Sequence, residues 1–387
     1  MNYNQLAIEE EITLFKKSIE AFAKKEIEPF YSQWEKEGIL PKSLWKKLGE
    51  AGLLCVDIHE QYGGLEASLP FSACVVDVFC RLGFNSVATN ISVHSNIVAH
   101  YILNSGNEAQ KLRYLPKMAT GEWVGAIAMT EPGAGSDLQG IKTTAIKNPT
   151  TGEYIINGSK TFITNGQHLD FAVVAAKTNL DVPASKGTSL FIVDVGSEGV
   201  IKGKNLNKIG LHSADTSELF FDSVVVPSSQ ILGEVDRGFV TLMKELPRER
   251  TILAVGACGS MEGALEITIK YLQERAAFGK SLNQIQVIRH KIAEMTTEAK
   301  VNRAFTNQCM ALLAENRLSA ADASVAKLST TEAQGRVVDG CLQLFGGYGY
   351  MEEYPISRIY TDARVQRIYG GTSEIMKEII SKDVLRK

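Results

Sequence analysis

The sequence has no excess of either charge: 41 Lys and Arg stand against 44 Asp and Glu, a formal net charge of −3. That balance leaves no electrostatic footprint for a nucleic acid, and no basic run suggests a membrane surface. Long apolar runs are also missing. "FSACVVDVFC" (71–80) is broken by Asp77 and falls well short of a membrane-spanning length. The first residues, "MNYNQLAIEEEI", are acidic and lack the basic-then-apolar order of an export signal, so a cytoplasmic protein is expected. The six cysteines (55, 74, 80, 258, 309 and 341) form no CxxC pair and fall mostly in apolar helical patterns, which implies reduced, buried thiols. The six histidines are scattered; His94 and His100 could share a helix but not at an i, i+4 ligand spacing, so no metal is expected. No GxGxxG follows a strand-like segment, so a Rossmann dinucleotide site is not indicated.

What is present is ordinary in bulk and specific in detail. The 387 residues suffice for two or three domains and a substantial core, and 44% apolar with 22% charged residues is usual for a globular protein. Three textures follow one another. Residues 1–120 carry helical periodicity, as at Ile12, Phe15, Ile19 and Phe22, and Pro41 opens a short helix closed by Gly52. Residues 121–232 hold short β-branched or aromatic runs, "YIINGSKTFIT", "FAVVAAKT", "SLFIVDV" and "LFFDSVVVP", between Gly, Asn and Pro turns. Residues 233–387 return to long helices. Helix, sheet, helix in that order reads as an α+β fold with separate layers.

Five short segments carry chemistry-bearing residues. "AMTEPGAGSD" (128–137) must turn tightly at Pro132, Gly133 and Gly135, and Thr130, Ser136 and its N–H groups suit a phosphate or a polar ring edge. A glycine-rich turn ahead of a strand reads the same way. "KTFITNG" (160–166) places Phe162 where it could flank a planar cofactor or fill a β core. In "KELPRERTILAVGACG" (244–259) Pro247 marks the start of a long helix, with Glu249 and Arg250 in its first turn; a glutamate there also complements the helix dipole. "RAAFGK" (275–280) puts an arginine and an aromatic just past a helix end, for a surface loop or a neighbouring subunit. "RIYGGTSEI" (367–375) looks like a tight loop offering N–H groups to an anion, yet Gly370 and Gly371 at its centre have no side chain to act as a base.

Taken in order, "TEPGAGSD", "FITNG", "GLHSADTSELFFDSVVVP", "QERAAFGK", "QLFGGYGY" and "IYGGTSEI" resemble the acyl-CoA dehydrogenase family from end to end, most strongly its long-chain branch. The resemblance implies a flavoprotein with an N-terminal helical domain, a β-barrel-like middle domain and a C-terminal four-helix bundle, most often a homotetramer. FAD is expected between the β domain and the C-terminal helices, partly across a subunit interface. The implied reaction is α,β-desaturation of an acyl-CoA. A base takes the α-proton, the β-hydride passes to flavin N5, and the electrons leave to an electron-transfer flavoprotein.

By motif, the resemblance implies that Ile127, Ala128, Met129, Thr130, Gly135 and Ser136 run along the flavin ring, and that Phe162, Ile163 and Thr164 cover its other side. It assigns Arg275 and Phe278 to the FAD of a partner subunit, and Gln343, Leu344, Phe345, Gly346 and Gly347 to the adenosine-diphosphate part held from another chain. Thr372, Ser373 and Glu374 match the loop that contacts FAD phosphate and ribose. Around the substrate it places Ser136, Pro247, Arg248, Arg250, Tyr369 and Gly371, with Ser185 a candidate along the CoA arm and residues 90–99 forming the pocket floor.

Many family members carry the catalytic glutamate where this chain has Gly370. The long-chain and isovaleryl branches carry it on a helix instead, at the position of Glu249, so the resemblance assigns catalysis to Glu249, with Gly370 acting through its backbone. An ordinary carboxylate, with a pKa of about 4.3, is too weak a base for a thioester α-proton. Burial should raise it, and N–H donors on the thioester oxygen should stabilise the developing enolate. A branched-chain (isovaleryl-like) dehydrogenase, a flavin oxidase and a non-catalytic acyl-CoA-binding paralogue are the alternatives.

Overall fold

The three- and four-residue apolar spacing at the start of the chain forms α1 (Tyr3–Glu26) in the computed structural model, which describes residues 3–385. Ile19 and Ala23 on its inner face are buried, and Ile12, Phe15 and Phe22 pack beside them. Then come α2 (Tyr31–Glu37), α3 (Lys42–Glu50) and α4 (Leu69–Arg81), the last formed by the apolar 71–80 segment and buried along most of its length. α5 (Asn85–Ile91) continues through a wide-turn stretch, Ser92–Val98, into α6 (Ala99–Ser105). The Ala99 N–H reaches the His94 carbonyl there, an i→i+5 bond of the kind that gathers at functional sites. α7 (Glu108–Ala119) starts at a reciprocal cap between Asn107 and Gln110.

The β-branched runs become strands. β1 (Gly125–Ala128), β2 (Thr144–Lys147), β3 (Tyr154–Thr164), β4 (Phe171–Lys177), β5 (Thr188–Asp194), β6 (Val200–Asn205), β7 (Thr216–Val226) and β8 (Ile231–Leu232) form one sheet in the order β6-β7-β3-β2-β4-β5-β8. β1 joins β4 in parallel, Gly125 opposite Phe171. The hydrogen-bonded path stays open from β6 to β8, so the barrel-like expectation is met by a sheet whose ladder does not close. A single turn, α8 (Ala184–Gly187), links β4 to β5. Apolar residues on one face, including Ala126, Ala128, Ile156, Val174 and Leu219, make the core of this layer.

α9 (Gly238–Glu274), a short hairpin of β9 (Ala276–Ala277) and β10 (Lys280–Ser281), α10 (Gln286–Ala314), α11 (Ala320–Phe345), α12 (Pro355–Ala363) and α13 (Ser373–Val384) complete the chain. α9, α10 and α11 pack on one another and α13 lies against α11. One sequence expectation is corrected here. α9 begins at Gly238, so Pro247 lies inside the helix, and Glu249 and Arg250 are not in its first turn. Proline removes a backbone donor, but Leu242, Glu245 and most residues from Glu249 to Leu265 are buried, and that packing carries the helix through. By length and composition α9 could span a bilayer, yet 72% of its most apolar window is buried inside this fold.

α4 and α9 cross very closely. A Cβ added at Gly259 would come 2.5 Å from the Asp77 carbonyl oxygen, and one at Gly263 would overlap the Arg81 carbonyl. Backbone cannot step aside as a flexible side chain can. Gly263→Ala is therefore expected to lower stability by roughly 1–3 kcal/mol, the usual cost of overpacking. A thermal melt checks this, and an unchanged melting temperature would show that the two helices re-space freely.

Candidate active site

The three layers meet around one cavity of about 410 Å³. Ser92, Val93 and Ile97, from the wide-turn stretch, line one wall together with Val76 and Cys80 of α4. Ile127, Met129, Thr130, Gly135 and Ser136 come from β1 and the loop after it, and Phe162, Ile163 and Thr164 from the end of β3. Glu249, Arg250 and Leu253 of α9 face Tyr369, Gly370 and Gly371 of the last loop. Residues remote in sequence are thus brought together.

Glu249 sits in this wall with only 9% of its surface exposed. Burial pushes its carboxyl up to about 7, with the nearby Glu245 adding to the effect. Two groups oppose this: the Tyr101 hydroxyl, which donates to Glu249 Oε1 at 2.9 Å, and the Arg250 charge. Arg250 forms no ion pair with its neighbour among the described residues. It turns instead to the Gly370 carbonyl and to Ser324 Oγ, each at 3.3 Å.

The loop opposite is built by positive backbone angles, φ +64° at Gly370 and +97° at Gly371, which side-chain-bearing residues adopt rarely. Both carbonyls are held by buried cations: Arg250 takes that of Gly370, and Lys327 Nζ donates to that of Gly371 at 2.6 Å. Burial, with Arg250 close by, lowers the Lys327 ammonium to about 8. No acceptor among the described residues takes the Gly370 N–H. A Cβ placed on Gly370 would lie 3.2 Å from Leu253 Cδ1, one turn along α9 from Glu249. A side chain at position 370 and the side chain of Glu249 therefore address the same space.

The opposite wall suits a planar, polar-edged cofactor. The loop after β1 is held from beneath by a buried pair, Lys160 Nζ to Glu131 Oε1 at 2.8 Å, while Glu131 also accepts the N–H groups of Lys142 and Thr143. Gly133 and Gly135 face open space where a ligand can approach the backbone. Phe162 is 68% exposed and has φ +59°, an unusual conformation for a bulky residue. An exposed aromatic held in such a backbone shape marks a surface kept for contact. Gln366 also lines the cavity, nearly buried, with its Oε1 unpartnered.

Other expected residues lie elsewhere. Ala128 points into the sheet core. Pro247 and Arg248 lie beside the cavity and do not line it; Arg248 pairs with Asp57, which His100 also meets at 3.1 Å. Ser185 sits on α8, whose Ala184 packs on Ala134 and Ile141 of the neighbouring loop. Thr372 caps α13 by accepting the Ile375 N–H, Ser373 donates to Glu332, and Glu374 falls in that helix's first turn. Arg275, Phe278 (93% exposed), Gln343, Gly346 and Gly347 stand on the outside, while Leu344 is half-buried and Phe345 stacks on Tyr271. The Arg275 guanidinium lies 5.5 Å from the Tyr348 ring centre, so the two outer segments form one patch. Sequence reasoning missed Tyr101, Lys160 and Lys327; their only trace was a polar group inside an apolar stretch. His94 meets the Met118 carbonyl through Nε2 and accepts the Gly125 N–H at Nδ1, and no metal-type cluster occurs among the described residues.

Comparisons with known proteins agree along the chain. The family models described as acyl-CoA dehydrogenase N-terminal, middle and C-terminal domains match residues 9–122, 126–224 and 236–385. A long-chain specific acyl-CoA dehydrogenase, mitochondrial, of Sus scrofa is 46% identical over 373 residues, 96% of this chain and 86% of that protein. An acyl-CoA dehydrogenase structure from Geobacillus kaustophilus superposes with a TM-score of 0.94 at 43% identity, covering 97% of this chain and 98% of that one. An acyl-CoA dehydrogenase from Bacillus anthracis, solved in complex with FAD, superposes at 0.91 with 33% identity, covering 98% of this chain and 67% of that one.

Lys327 gives the site its own test. Lys327→Met leaves the Gly371 carbonyl buried without a donor, which costs roughly 1–3 kcal/mol. A lowered melting temperature is the expected result, and an unchanged one would mean that the loop finds another donor.

Proposed function

Since this chain belongs to the acyl-CoA dehydrogenase family, we propose that it desaturates long-chain acyl-CoA thioesters at Cα–Cβ with FAD as cofactor, Glu249 taking the α-proton. The observation that carries this reading is the pair of facing positions: a buried carboxylate at 249 that forms no ion pair among the described residues, and a side-chain-free glycine at 370. One site has a base to offer and the other has only backbone.

Bound FAD supplies the acceptor for the β-hydride. The protein's share is to remove a proton, hold the thioester and keep water out. A thioester α-proton is weakly acidic, so two effects must act together. The raised Glu249 carboxyl narrows the gap from the base side, and the unpaired Gly370 N–H would donate to the thioester oxygen as enolate charge develops. Apolar residues along the cavity, Val76, Val93, Ile97 and Leu253 among them, suit an acyl chain and exclude water from the reacting carbons. The 46% identity to a long-chain specific relative supports the chain length.

The FAD-binding assignments follow the same division. Ile127, Met129, Thr130, Gly135, Ser136, Phe162, Ile163 and Thr164 would hold the ring within one subunit. The outer patch of Arg275, Phe278, Gln343, Gly346 and Gly347 would reach the FAD of a neighbouring subunit in a homotetramer, its exposure in the single chain being what such a role requires, with Leu344 and Phe345 supporting it from beneath. An electron-transfer flavoprotein is the proposed electron acceptor.

Anaerobic bleaching of the bound flavin by a panel of acyl-CoAs tests the reading. Wild type should bleach fastest with a long unbranched chain; preference for isovaleryl-CoA would reassign the branch. Glu249→Gln should bind but reduce about 10²–10⁴-fold more slowly, the usual contribution of a general base. A mutant as fast as wild type would refute the base. The pH profile has a definite sign. Glu249 is active when ionised and its folded-state value is raised to about 7, so kcat/KM should climb as pH passes about 7 and level off above it.

A further inference from the structure

We propose that Tyr101 is the positioning residue of the reaction: its hydroxyl holds Glu249 Oε1 and thereby leaves Oε2 as the atom that meets the α-proton. The inference rests on Glu249 being the base. Tyr101 is fully buried on α6, and its O–H donates to Glu249 Oε1 at 2.9 Å. Oε2 has no hydrogen-bond partner among the described residues, although Glu249 lines the cavity.

The torsion that turns a glutamate's carboxylate is broad and nearly two-fold. Without a donor on one side, its two oxygens would exchange places and the base would have no fixed direction. One buried hydroxyl removes that freedom. A second rung joins the same two helices one turn away, where Asn104 Nδ2 donates to Glu245 Oε1 at 3.0 Å. Tyr101 and Asn104 of α6 thus meet Glu249 and Glu245 of α9, and the two rungs lock the helices in phase. The wide-turn stretch before α6 adds to this: Val93 and Ile97 stay on the cavity wall while Tyr101, four residues further on, reaches the base.

The charged groups around Glu249 are few. Glu245 lies one turn back and Arg250 next in sequence. Arg248 is paired with Asp57, Lys327 with the Gly371 carbonyl, and Tyr369 lies across the cavity. Tyr101 is the only side chain that donates to the carboxylate among the described residues. A hydrogen bond to the charged form favours ionisation, so its loss makes Glu249 harder to ionise.

The experiment compares the FAD-loaded wild type with Tyr101→Phe and with 3-fluorotyrosine incorporated at position 101, a stronger donor of nearly the same shape. The Glu249 carboxyl is titrated by its infrared C=O band, assigned through the band's absence in Glu249→Gln, and the pH profile of kcat/KM is measured alongside. Tyr101→Phe should move both midpoints up by about one pH unit, the scale of one charge-assisted hydrogen bond. Its kcat/KM well below the midpoint should fall about tenfold, carried by kcat with KM little changed. Fluorotyrosine should move both midpoints down. Midpoints and kcat unchanged in both variants would overturn the positioning role while Glu249→Gln stays inactive. Should Tyr101→Phe fail to fold, the direction of the fluorotyrosine shift decides. Full flavin reduction by Glu249→Gln would instead overturn the assignment of the base itself.

Discussion

A carboxylate buried with no cation paired to it is the constraint on which the rest of this structure turns. Removing such a group from water costs several kcal/mol unless something answers its charge. The nearest guanidinium, Arg250, is adjacent in sequence and could have answered it. It points instead to a backbone carbonyl, and the carboxylate is left with one neutral donor. The folded chain therefore holds Glu249 close to the balance between protonated and ionised, where a proton acceptor works best near neutral pH.

The cations have been used to shape the loop across the cavity. Arg250 and Lys327 grip the successive carbonyls of Gly370 and Gly371, both held in a left-handed backbone. The Gly370 N–H is left without an acceptor among the described residues, as the proposed hold on a thioester oxygen requires. In the proposed reaction two positive charges would thereby act through backbone orientation. Beneath the other wall the buried Lys160–Glu131 pair does similar work, anchoring the glycine-rich turn so that its exposed edge need not be held by the ligand.

Local rules reached much of this. Periodicity and β-branched runs located α1, α4 and the strands because each element satisfies its own pattern, and the family motifs gathered part of the cavity's wall. Pro247 misled because a proline inside a helix breaks a local rule that packing on two sides can override. Tyr101 and Lys327 left no pattern at all. Each is one polar group in an apolar stretch, and its meaning lies in a partner more than forty residues away. The outer patch of Arg275, Phe278 and Gly346 is different again: its residues lie exposed, and packing within the single chain does not explain them.

The cavity has walls from all three layers, and none of them encloses it alone. Any molecule that fills it therefore recognises the assembled chain and ignores every partly folded form. By mass action such a ligand raises the cost of unfolding as its concentration grows, by about 2.7 kcal/mol at a hundredfold excess over its dissociation constant. Cofactor supply then becomes a form of quality control. A cell short of flavin would hold less of the folded chain, and not only less of its activity.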